Sequence, residues 1–285
     1  MSPRRPTSPE IDESLRRIAE ALDRLAPPPP PPPDFAAAQV FRHDAPSGRF
    51  VPAPLFPLPL DLLVGVESQK ARLLESLAPF AAGYSANHIL LWGSRGAGKS
   101  ALAKAAFAHL AVNTPLLRLI EADRDDLAYL PALFEALRAR PERFVVFCDD
   151  LSFEEGAAAA KALKSALEGG VSGPPGNVML LATSNRRHLM PRADVGSANP
   201  LLAAEDREEE ISASDRFGVW VGFPPMTQDD YLEAVRGYAN RFGLGLDNLE
   251  DRALKWAKLR GSRSGRIAWQ FSRQIAGELG RDLPT

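Results

Sequence analysis

The stretch His88-Ile-Leu-Leu-Trp92 runs without a break into Gly93-Ser-Arg-Gly-Ala-Gly98-Lys99-Ser100-Ala101. A short apolar run of this kind predicts a buried strand, and the alanine-rich residues Lys99 to Leu110 predict a helix. The turn between them fits the pattern G-x-x-x-x-G-K-[ST]. A strand that turns through glycines into a helix aims several backbone N–H groups and the positive helix end at one point, and such a point takes a phosphate. Gly93, Ser94, Arg95, Gly96, Ala97, Gly98 and Ala101 are therefore candidates for the loop that wraps the phosphates of a nucleotide. Lys99 is placed to reach the β- and γ-phosphates, and the Ser100 hydroxyl to hold Mg²⁺.

Working outward, the same rhythm of short apolar strands and helices recurs. Glu67 to Ala82 reads as a helix with Leu73, Leu74 and Leu77 on one face. Leu116 to Ile120 reads as a strand followed by a helix over 127–138, and Phe144 to Cys148 as the most strand-like stretch of the chain. An alanine-rich helix (154–167), Val178 to Thr183 and Val219 to Phe223 continue the series. Alternation of this kind predicts a three-layer α/β fold with a parallel sheet. After Pro224-Pro225 the strands stop, and helices near 227–242, 247–260 and 264–279 predict a small all-α lid.

Two strand ends carry polar groups where nucleotides bind, at the carboxyl edge of such a sheet. Phe144 to Cys148 ends in Asp149-Asp150. Asp149 is the candidate anchor for Mg²⁺. Asp150 stands where many nucleotide-hydrolysing proteins carry a glutamate that polarises the attacking water; it is one methylene shorter, and Glu154 is a candidate helper. Val178 to Thr183 ends in Ser184-Asn185, and Asn185 is placed to orient that water.

The order of these features, ending in Asp215-Arg216-Phe217 before a last strand and a helical lid, resembles an AAA+ P-loop ATPase. The strings CDDLSFEE, ATSNRRHL, SDRFGVWVGF and SGRIAWQF together resemble a bacterial family of single-module AAA+ ATPases of unassigned function, over roughly residues 40–280. The resemblance implies ATP and Mg²⁺ as cofactors and an assembly, a homo-oligomeric ring, that can depend on nucleotide. It implies that Leu63-Val64-Gly65 lines the adenine pocket and that Asn185 is the sensor on its strand. It implies too that Arg216 is an arginine finger reaching a neighbouring subunit's site. Arg266 falls at the lid sensor, with Arg263 three residues earlier as a competitor.

The rest of the chain bounds these expectations. It has 285 residues, 45% hydrophobic and 25% charged, enough for a substantial core. A net charge of −2 offers no whole-molecule field for nucleic acid, which stays open only because the lid is locally basic. The single cysteine, Cys148, excludes a disulfide framework and reads as a core residue, and histidines 43, 88, 109 and 188 lack metal-ligand spacing. The expectation is a cytoplasmic protein without a membrane span. Of 26 prolines, 15 lie in residues 1–60. There, Ile11, Leu15, Ile18, Leu22 and Leu25 make one apolar stripe on a helix over 9–25, which docks within its own assembly or on an outside protein partner. Pro27 to Pro33 form a stiff polyproline spacer.

The expected organisation is an amphipathic helix and polyproline linker (1–34), a proline-rich wrapping segment (35–60), an AAA+ α/β ATPase domain (61–223) and a helical lid domain (224–285). The expected function is an ATPase that binds and hydrolyses Mg-ATP at subunit interfaces to remodel a macromolecular partner. Two alternatives remain: a nucleotide-switched binding module with weak hydrolysis, and a DNA-handling ATPase of the initiator or loader kind. A threading unfoldase ranks lower, because residues 121–130 put charge where threading rings carry an aromatic loop. The acidic run Glu205 to Glu210 reads as a solvated loop, and Gly169 to Gly176 as a loop able to face a central channel.

Overall fold

The central strands are apolar on both faces, so alternate residues feed two separate cores. In the computed structural model, which describes residues 8–25, 33–151, 157–169, 172–185 and 215–283, β3 (Ile89–Gly93) sends Leu90 to one face and Ile89 and Leu91 to the other. β5 (Arg143–Cys148) and β6 (Val178–Ser184) divide in the same way, Val146 and Leu180 against Val145 and Leu181. One core is closed by α4 (Leu130–Arg138) and α5 (Ala157–Glu168), through Leu133, Leu137 and Leu163. The other is closed by α2 (Glu67–Ala81) and α3 (Lys99–Ala111), through Leu73, Leu77, Leu102 and Phe107. Burial on two faces requires two helical layers, and three layers result.

With β1 (Val40–Asp44), β2 (Arg49–Pro52), β4 (Leu117–Ala122) and β7 (Val219–Phe223), the sheet has, among the described residues, seven strands in the order β2-β1-β4-β5-β6-β3-β7. All neighbours are parallel except β1 and β2. The chain leaves β3, crosses to β4, returns through β5 and β6, and then crosses β3 to β7. The carboxyl ends of β3, β5 and β6 therefore lie side by side at the point where the winding reverses.

The segment 35–60 departs from the expected wrapping strap. Val40–Asp44 adds a parallel strand to β4 and turns back through β2, the antiparallel edge. Phe35 and Phe41 are fully buried, Phe35 meeting Phe144 edge-on at 4.8 Å, and the Arg118 guanidinium donates to the Phe35 carbonyl. Its flanking prolines and the polar Arg42-His43-Asp44 hide the strand, which is made by its neighbour β4 and by this aromatic cluster rather than by its own pattern. The helix expected over 127–138 begins instead with a 3₁₀ turn, Arg124–Tyr129, before α4.

Three helices follow β7: α6 (Gln228–Phe242), α7 (Leu249–Leu259) and α8 (Gly265–Glu278). Thr227 and Asp230 cap α6 reciprocally, and Gly243 ends it in the left-handed conformation. Tyr231, Val235, Phe271 and Ile275 build a third core, and the Tyr231 hydroxyl donates to the Ala253 carbonyl at 3.0 Å. At the other end of the chain, α1 (Ser8–Leu25) keeps Ile11, Leu15, Ile18 and Leu22 exposed. Among the described residues no helix is long and apolar enough to cross a membrane. The polyproline residues 27–32, Glu154, residues 170–171 of the Gly169–Gly176 loop, His188 and the acidic run 205–210 lie outside the described residues.

Candidate functional site

The glycine-rich loop follows β3 directly, and its backbone demands glycine. Gly93, Gly96 and Gly98 have φ of 128°, 76° and 96°, in the region that side chains avoid. At Gly93 a Cβ would overlap the Phe223 carbonyl of β7, whose neighbour Ser94 donates its N–H to that same carbonyl. At Gly96 a Cβ would meet Ser264 Oγ at 2.9 Å, and the Gly96 carbonyl accepts from the Arg266 N–H at 3.3 Å. The loop is thus pinned between the last strand and the lid.

Lys99 opens α3 and is buried. Its ammonium makes three hydrogen bonds, to the Gly93 carbonyl (3.0 Å), the Ser94 carbonyl (2.9 Å) and Asn185 Oδ1 (2.9 Å). Burial pushes this ammonium below its usual range, against the pull of Asp150 and Asp149, while Arg266 and Arg95 push the same way as burial. The Asn185 amide N–H donates to Asp150 Oδ1, so one side chain joins the lysine that opens α3 to the second aspartate after β5.

A second branch joins the first. Ser100 Oγ donates to Asp149 Oδ1 at 2.6 Å, and the buried Thr183 hydroxyl donates to the same oxygen at 2.6 Å. Thr183 Oγ1 also accepts from the Asp150 N–H at 2.9 Å. Asp150 itself sits at φ 56°, which aspartate tolerates better than most residues. Its other carboxylate oxygen lies 3.8 Å from Arg124, in an exposed pair. Cys148, one residue before Asp149, is buried and its thiol is pushed up to about 12 by burial and the adjacent carboxylates, which makes it a core residue and no nucleophile.

These groups line a cleft of about 280 Å³ between sheet and lid, with Ala101, Gly96 and Gly98 on its floor. The lid contributes Arg266, Tyr238 and Trp269, and the segment before α2 contributes Leu58 and Leu63. Arg266 faces the cleft; Arg263 donates to Gln228 at 3.1 Å and lines a different one. Val64 and Gly65 stand back from it: Val64 packs beside Gly237, and Gly65 packs so closely on Asp230 that a Cβ would come within 2.9 Å. Leu63 is the residue of that trio on the cleft wall. Ser94, Arg95 and the buried Ala97 turn toward the other face of the loop.

Arg216 is not brought to this cleft. It pairs with Glu168 at 2.5 Å, three residues ahead of β7, while the far end of β7 pairs with Trp92 and Gly93 at the loop. At about 3.3 Å per residue that separation is roughly 20 Å, too far for an arginine to serve its own chain's loop. Thr183, Arg124, Tyr238 and Trp269 carry no motif of their own. Thr183 and Trp269 nevertheless sit inside the strings ATSN and SGRIAWQF, two residues from Asn185 and three from Arg266.

The model of a family described as "Protein of unknown function (DUF815)" matches residues 36–279. Among solved structures the chain is similar to a point mutant of RuvB from Thermotoga maritima, at 21% identity over 81% of this chain and 70% of that one, with a TM-score of 0.53. It is similar also to the Aeropyrum pernix ORC1 protein in complex with DNA, at 18% identity and TM-score 0.56, covering 78% of this chain and 62% of the other. The Aeropyrum pernix ORC2 protein in ADPNP and ADP complexes gives 15% identity, 81% and 67% coverage and a TM-score of 0.52. The chain thus spans less than two thirds of the ORC1 chain. No curated protein sequence matches. At these identities the likeness is one of fold, the AAA+ P-loop ATPase fold.

Proposed function

This chain belongs to the DUF815 family, and from that premise we propose that it is an ATP hydrolase whose active sites form between copies of itself. The observation that carries the reading is the single hydrogen-bonded network joining Lys99, Asn185, Asp150, Thr183, Asp149 and Ser100. It gathers a phosphate-binding cation, a metal-ligating pair and a base at one sheet edge. All three Lys99 donors rest on neutral acceptors, so a triphosphate offers the ammonium stronger partners without a strain cost. Ser100 and Asp149 supply oxygen ligands only, the donor set a hard cation takes, and they fit Mg²⁺. Mg²⁺ held by Ser100 and Asp149 would supply charge neutralisation on the nucleotide's phosphates. Asp150 takes the proton of the attacking water, which Asn185 orients, and Arg266 ties the lid to the γ-phosphate. Leu63, Tyr238 and Trp269 offer an apolar berth for the base.

Arg216 acts in trans: too remote from its own loop, it stabilises the transition state in the neighbouring protomer. We assign residues 61–223, together with the strands that segment 35–60 adds to their sheet, to the ATPase domain, 224–285 to the lid and 1–34 to a tethering arm, in a cytoplasmic homo-oligomer that remodels a macromolecular partner. The test is hydrolysis rate per protomer against protein concentration. Wild type should rise with concentration, Lys99→Ala should be inactive, and Arg216→Ala should lose about 10³–10⁵ in rate. Mixing the two variants should restore activity, since each lacks what the other provides. Arg216→Ala matching wild type at every concentration ends the trans assignment.

A second reading, a nucleotide switch that hydrolyses poorly, is favoured by one feature: both Asp150 oxygens are engaged, by Asn185 and Arg124. Tight ATP binding with turnover below about one per minute, against roughly 10 per second for a median enzyme, selects the switch.

A further inference from the structure

A second cleft is larger than the one that holds Lys99. It has about 830 Å³ and lies on the opposite side of the glycine-rich loop, walled by the start of α6, by α7 and by the loop ahead of α8. Arg95, Lys258 and Arg263 line it, and no carboxylate does. Among the described residues, Arg95, Lys255, Lys258 and Arg273 form no ion pair, and Arg263 spends one nitrogen on the neutral Gln228. The surrounding sequence is basic too: residues 252–273 contain seven lysines and arginines and no acid, of which Arg252 pairs with Glu278, Arg266 faces the other cleft and Arg260 lies over the Trp256 ring at 3.6 Å.

We propose that this lid-side cleft is a binding site for the phosphate backbone of a nucleic acid. The guanidinium forks of Arg95 and Arg263, neither in an ion pair, match phosphate oxygens, and three cations lining one cleft without a counter-acid are the electrostatic footprint of a polyanion. The chain's net charge of −2 supplies no general attraction, so binding must be local to this run. Met226 and Leu254 give the cleft an apolar wall, which a sugar or base covers and a simple inorganic anion leaves wet. Because Arg95 belongs to the loop that carries Lys99, an occupant touches loop and lid together. The proposal does not rest on hydrolysis.

The probe is a fluorescein-labelled 20-nucleotide single-stranded DNA, with RNA of the same sequence beside it, titrated by anisotropy from 50 to 200 mM salt. Lys258→Gln with Arg263→Gln removes two contacts and should flatten the log–log salt slope by about 1.4, from roughly 0.7 per phosphate on a single strand. Lys258→Arg with Arg263→Lys should keep the wild-type slope, and so should Arg72→Gln, an exposed arginine on α2. Competition of tripolyphosphate for bound oligonucleotide agrees with the proposal. Tripolyphosphate binding without oligonucleotide binding overturns it, the Lys99 loop then being enough to hold the polyphosphate. Absence of oligonucleotide binding at 50 mM salt, or an unchanged slope in the Gln double variant, also overturns it.

Discussion

Replacing Thr183 by valine keeps the volume of a buried side chain and removes one hydroxyl. That hydroxyl donates to Asp149 Oδ1 at 2.6 Å and accepts from the Asp150 N–H at 2.9 Å. A hydrogen bond to a charged acceptor contributes about 1.5–3 kcal/mol, and a buried N–H left without a partner costs about 1–3 kcal/mol. Asp149 retains Ser100 as a donor, so the two losses do not sum in full and about 2–3 kcal/mol is expected. For a domain of this size each kcal/mol moves Tm by about 2–4 °C, so Thr183→Val should melt roughly 5–10 °C below wild type. Thr183→Ser keeps the hydroxyl and loses a methyl, at about 1 kcal/mol. The assay is chemical denaturation of all three proteins, checked by thermal melting. Serine must be more stable than valine if the hydrogen bonds matter; if packing alone holds the site, valine wins. Valine equal to or above serine refutes the reasoning.

The phosphate loop makes a graded prediction. Gly98→Ala meets open space and suffers only its positive φ, about 1–3 kcal/mol, whereas Gly93→Ala adds overlap with the Phe223 carbonyl and should fail to reach the native fold, as circular dichroism and soluble yield will show. His88 predicts a pH dependence. Its Nδ1 accepts from the Leu180 N–H at 3.0 Å, and burial pushes its pKa down from 6.5 to about 4. The unfolded chain therefore takes up a proton that the fold refuses, so stability is full above pH 6.5 and falls by up to about 3 kcal/mol as the pH drops toward 4. His88→Asn keeps an acceptor without titrating, and urea midpoints measured across that window should fall less in the variant.

The parts of this protein written locally were legible in one dimension. The turn at Gly93 to Ser100 is decided by three glycines and a lysine in contiguous sequence. The strands at 144–148 and 178–182 are apolar without interruption because both their faces are buried, and the lid shows as three helical stretches after Pro224-Pro225. β1 was not legible, since Arg42, His43 and Asp44 interrupt its pattern and only pairing with β4 and the Phe35 cluster make it a strand.

The sequence by itself determined that a phosphate loop, two acidic or amide strand ends and a basic helical lid exist. Tertiary structure alone decided how they combine. Because β6 lies between β5 and β3, Thr183 reaches Asp149 and Asn185 reaches both Lys99 and Asp150, although 34 to 86 residues separate the partners. Because α8 is pinned to Gly96, Arg266 faces that cleft and Arg263 the other. And because β7 runs parallel to β3, Arg216 is carried to the opposite end of the sheet from the loop. Residue type and spacing specify what a side chain can do; the winding of the sheet specifies which side chains meet.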